Sequence, residues 1–148
     1  MEQIHELETL IEKGITAINQ GKSDIALAYF NRAATIAKTP TVCSYLAYCL
    51  ASAKGRVNTA GKICQDAIQR DPRNSTHYLN LGRILLLAGD KQQAIKVFRH
   101  GLKLSKDRQI ITELRSLGLR QDAIIKSLNR RHPLNKYSGL LLSRLTRK

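Results

Sequence analysis

Tryptophan is missing from this 148-residue chain, methionine occurs once, and the aromatics are two phenylalanines and five tyrosines. Bases of a single strand are usually gripped by stacking on aromatic rings; so few rings, most at packing positions, provide no such platform. Cysteine is limited to Cys43, Cys49 and Cys64, an odd number without a CxxC pair, which excludes a disulfide framework and a zinc module. All three fall in helical patterns, where a free thiol behaves as a small hydrophobe, and a reducing cytoplasm is the expected compartment. No apolar run approaches the roughly 20 residues of a membrane span. The start, MEQIHELETL, is acidic and amphipathic, unlike a secretory signal. No phosphate-binding glycine loop, GxSxG or GxGxxG occurs, and no triad order is recognisable. The histidines His5, His77, His100 and His132 lie outside any metal-ligand spacing. His5 beside Glu8, or His100 near Cys64, are read as surface or satisfied contacts. Neither catalysis, a cofactor nor a metal is expected.

Acid is also scarce. The formal net charge is +14, unevenly placed: residues 1–40 are close to neutral and the basic excess begins at Lys54. Arg99, Lys103, Lys106, Arg108, Arg115, Arg120, Arg130 and Arg131 form a candidate positive stripe for nucleic acid or anionic lipid. A solvated basic exterior is the simpler expectation, because net charge governs non-specific association.

What is abundant is helical periodicity. Residues 78–104, YLNLGRILLLAGDKQQAIKVFRHGLKL, read as two helices around Gly89-Asp90: Tyr78, Leu81 and Leu85 on the first, Ala94, Val97, Phe98 and Gly101 on the second. Asp90 is placed to cap the second helix. Gly82 and Ala94 are expected to be small so that the paired helices can approach. The pattern recurs 34 residues earlier and again 34 before that: Ala94, Ala60 and Ala26; Phe98, Cys64 and Phe30; Gly101, Ala67 and Ala33; Gly89, Gly55 and Gly21. In the first copy, residues 5–20 read as a helix with Leu7, Leu10, Ile11, Ile15 and Ile18 apolar, and Ser23 or Asp24 caps its partner. Asn58 or Thr59 does so in the second. A gapless 34-residue helix–turn–helix period resembles the tetratricopeptide repeat. The copies are 7–40, 41–74 and 75–108. The family's Leu-Gly pair is Leu81-Gly82 in the third copy, only Gly14 in the first and Ala47-Tyr48 in the second, which makes the second irregular.

The resemblance implies an all-α, right-handed α-solenoid with C-terminal capping helices. Residues 1–118 would form the repeat domain, with a first capping helix at 109–117 stopped by Gly118. Residues 119–148 would be a basic helical extension, with an amphipathic stretch at 121–129 and a leucine-rich last helix at 133–148. It further implies a non-catalytic interaction module or adaptor that holds a peptide or amphipathic helix of another protein in a concave groove. By family position the groove is lined by Ile11, Ile15, Ile18, Tyr45, Cys49, Ser52, Leu79, Arg83 and Leu86. Ile15→Glu or Leu79→Glu should then abolish binding without unfolding. The family's carboxylate clamp is absent, since its positions hold Ile11, Ile15, Leu46, Thr76 and Asn80. The alternative function is nucleic-acid or anionic-membrane binding through the basic C-terminal half. For the last helix the partners considered are its own repeats, a neighbouring copy of the chain, or a membrane surface.

Overall fold

The computed structural model describes residues 1–119. The stretch at 121–129, the helix at 133–148, and Arg120, Arg130 and Arg131 therefore lie outside the described residues. Among the described residues there are seven helices and no strand. α1 (Glu2–Asn19) pairs with α2 (Ser23–Ile36), α3 (Pro40–Lys54) with α4 (Val57–Arg70), and α5 (Ser75–Leu87) with α6 (Lys91–Leu104). α7 (Arg108–Ser116) follows and packs on α6.

Each hairpin turns on a glycine, Gly21, Gly55 or Gly89, at φ of 73°, 68° and 82°, a left-handed conformation that residues with a Cβ resist. The next residue is the N-cap in every copy, with nearly the same backbone: Lys22 at φ −97°, Arg56 at −83°, Asp90 at −104°. Only Asp90 carries an acceptor, and its Oδ1 takes the Gln93 amide at 3.2 Å. The caps expected at Ser23 or Asp24 and at Asn58 or Thr59 do not form. The glycine turn fixes the helix start one to three residues too early for them. α3, α5 and α7 are capped by Thr39, Asn74 and Asp107, whose side chains accept amides of Val42, Thr76 and Gln109.

Ala26, Ala60 and Ala94 are fully buried, as are Ala33 and Ala67 at the second repeated position. Position 82 is small, as expected, because of what its paired helix brings against it. A Cβ on Gly82 would collide with the Phe98 ring, and one on Gly14 would lie 2.5 Å from Cε2 of Phe30. Glycine here admits a ring from the partner helix. In the second hairpin the sizes are exchanged: Tyr48 stands at the glycine position and Cys64 at the phenylalanine position, both in one apolar cluster. In the irregular copy a large residue thus replaces the glycine and a small one the phenylalanine, an exchange that close packing favours. Truncating a fully buried ring such as Phe98 would cost ~3–5 kcal/mol.

The largest cluster runs through α3 to α7, closed by Ile110 and Leu114 of α7. Smaller ones join α1 and α2 to α3 around Phe30–Tyr45 and around Leu10, Ala33 and Val42.

Candidate functional site

Two seams connect the first helices of successive hairpins, and they differ. α5 packs on both α3 and α4, backbone against backbone, whereas α3 packs on α2 and stands off α1. At the α3–α5 seam Tyr45, Cys49, Asn80 and Ile84 are buried at 5%, 0%, 0% and 0% exposure. On the α1–α3 seam Ile11, Ile15 and Ile18 of α1 and Leu46, Leu50 and Ala53 of α3 are all half-buried; the counterparts of Ile18 and Ala53, Ser52 and Leu87, are half-buried and exposed. Each trio follows i, i+4, i+7 spacing, one face of a helix. Behind them Phe30 and Tyr45 stack with centroids 5.0 Å apart and planes 7° off parallel.

The nine expected groove residues therefore separate. Ile11, Ile15 and Ile18 line the open seam. Ser52 is half-buried, its hydroxyl 2.6 Å from that of Ser23, and Leu86 is half-buried beside the main cluster. Tyr45 and Cys49 are interior, in the cluster with Ala17 and Phe30, and Leu79 is interior in the main cluster. Leu79→Glu would accordingly place a charge in a site with 1% exposure and unfold the chain rather than test binding. Leu46, Leu50 and Ala53 were missed; their helical spacing was visible, but nothing in the sequence says which seam stays open.

Arg83 is held on two sides. Its Nε donates to Glu113 Oε1 at 2.8 Å and its guanidinium lies 5.3 Å from the Tyr48 ring centroid. It is a bracket between α5 and α7 more than a free groove cation. Burial pushes the Cys49 thiol up to about 12, against a smaller lowering by Arg83. The buried Cys64 thiol is also shifted up and donates to the His77 carbonyl at 3.3 Å. His100 stacks on Tyr78 at 4.6 Å.

Ser44, His77 and Asp71 meet although no triad order was recognised. His77 Nδ1 lies 3.0 Å from Ser44 Oγ, and Nε2 lies 3.1 Å from Asp71 Oδ2. Nε2 must donate there, since a carboxylate only accepts. Asn80 Nδ2 also donates to Ser44 Oγ at 3.2 Å. Ser44 and His77 have no exposed surface, so no substrate reaches the hydroxyl and the set is a polar clip between α3 and α5. Among the described residues no cluster of His, Cys, Asp and Glu could hold a metal. None of the described helices is long and apolar enough to cross a membrane.

Of the expected basic stripe, Lys106, Arg108 and Arg115 are exposed and Arg99 and Lys103 half-buried. These five lie on α6, on α7 and in the turn between them.

A family model described as a tetratricopeptide repeat matches residues 63–96. The match is one repeat long and runs from within α4 through α5 into α6. No curated protein matched the chain.

Proposed function

The chain carries tetratricopeptide repeats, which are generally protein–protein interaction modules, and from this premise we infer that it is a non-catalytic adaptor whose guest lies along the α1–α3 seam. The observation that carries the reading is the contrast between the seams: Ile11, Ile15, Leu46 and Leu50 stay half-exposed where their counterparts one hairpin later, Tyr45, Cys49, Asn80 and Ile84, are sealed. Apolar surface of this kind gains about 25 cal/mol per Å² when covered, before association costs. The guest is an amphipathic helix or a peptide with apolar side chains at alternate or helical spacing. Residues 1–118 form the docking domain, and residues 119–148 a basic extension. Free thiols at Cys43, Cys49 and Cys64 suit the cytoplasm.

Ile15→Glu is the informative variant, because a half-exposed site can solvate the charge. The far-UV spectrum should be unchanged while the polypeptides captured from native cell extract by the wild-type chain are lost. Equal capture by the two proteins would reject the seam.

A further inference from the structure

We propose that α6 and the turn into α7 form a second interaction surface, which holds the phosphate backbone of a structured nucleic acid without reading its bases. α6 contains no acidic residue, and Lys96, Arg99 and Lys103 follow one another at +3 and +4, on one face. Lys106 and Arg108 continue the run. At these side-chain separations like charges repel, so the run works against the helix that carries it. It is confined to the third hairpin: the positions equivalent to Lys96, Arg99 and Lys103 are Lys62, Gln65 and Gln69 in α4, and Ala28, Asn31 and Thr35 in α2.

Within residues 41–119 the acids are already engaged elsewhere. Residues 41–119 hold thirteen Lys and Arg against five acids. Asp66 pairs with Arg70, Glu113 with Arg83, and Asp71 with His77 and Asn74. Asp90 and Asp107 cap α6 and α7. Arg99 Nε and Lys103 Nζ have no hydrogen-bond partner among the described residues, and Lys96, Lys106 and Arg108 are exposed.

The chemistry of the surface selects among polyanions. Lysine is depleted in protein–protein interfaces, and five cations in succession without an apolar anchor do not make a docking hot spot. The exposed large apolar residues among those described are Met1, Ile4, Ile25 and Leu87, none of them on the stripe, so the stripe itself offers no wedge to a lipid headgroup layer. Nucleic-acid interfaces are polar and strongly positive. With no aromatic exposed along the stripe, contact is to phosphate rather than base. Lys96 to Lys103 spans roughly 10 Å, the axial length of about three phosphates on one strand of a duplex.

The test uses the full chain, labelled duplex RNA and duplex DNA of about 20 base pairs, and fluorescence anisotropy from roughly 50 to 300 mM salt. Lys96→Gln/Lys103→Gln/Lys106→Gln is compared with Lys13→Gln/Lys22→Gln/Lys38→Gln, which removes the same charge from the region of the first hairpin. The stripe variant should bind at least about tenfold more weakly at ~100 mM salt and lower the salt slope by about 2–3, the matched variant changing neither. A preference between the two duplexes identifies the source of the backbone. The proposal is overturned by no wild-type binding at low salt, or by equal losses in both variants, which would mean diffuse charge. An unchanged slope in the stripe variant also overturns it, placing the contact elsewhere in the chain. So does competition by polyglutamate or phosphatidylserine vesicles equal to that by duplex at matched charge.

Discussion

His77 has no exposed surface, yet both its ring nitrogens have partners, Ser44 and Asp71. Ser44 and His77 are 33 residues apart, close to one repeat period, so they become neighbours only when one hairpin stacks on the next. Ser75 with Asp107 and Arg83 with Glu113 are similarly spaced. Such pairs can be enumerated once the period is known, but the sequence does not choose among them, because several polar residues lie at that offset. Burial lowers the pKa of His77 below its ordinary 6.5, partly offset by Asp71, and burial lowers that of His100 too. The unfolded chain then takes up protons near pH 6.5 that the folded chain binds only at lower pH. Stability is complete above that value and falls as pH drops below it. The urea midpoint should therefore be lower at about pH 5.5 than at about pH 7.5, and His77→Gln should narrow the difference. A midpoint that does not move over that range would contradict the argument.

Between helices, the exchange at Tyr48 and Cys64 explains why the second hairpin lacks the family's Leu-Gly pair and still packs. Ring and gap have changed sides. Cys64→Phe alone should destabilise by ~1–3 kcal/mol through overpacking against Tyr48. Tyr48→Gly alone should open a cavity and remove the ring beneath Arg83. The double variant restores the ring-on-glycine arrangement of the first and third hairpins, and its cost should fall short of the sum by at least about 1 kcal/mol. Denaturant titration of the four proteins measures this, and additivity within error would show that the two positions do not compensate. The turn glycines and Asp90 were readable as local signals. The failed caps were not, since Ser23, Asp24, Asn58 and Thr59 all have suitable side chains and only the backbone register excludes them.

The molecule as a whole is unevenly stabilised. The main cluster spans α3 to α7, while α1 is attached through two smaller clusters and exposes Ile4 at 62%. Its ion pair to α2, Arg32–Glu6 at 2.8 Å, is on the surface, where such pairs contribute ~0–1 kcal/mol. Stability in a solenoid is close to a sum of hairpin and interface contributions. Native-state hydrogen exchange should therefore be fastest in α1 and α2 and slowest in α5. Equal protection of α1 and α5 would show that the seam at α1 is as tight as the one at α5. A seam that opens readily also suits one that admits a guest.

The sequence by itself determined the helical hairpins, their 34-residue period, the glycine turns and the excess of positive charge, because each follows from local conformational preference or from composition. Which helix pair closes and which stays ajar, whether Leu79 faces a guest or the core, and where the acids are spent were decided only by tertiary structure. Those outcomes depend on how side chains from separate hairpins fill one shared volume, and periodicity leaves that volume unspecified.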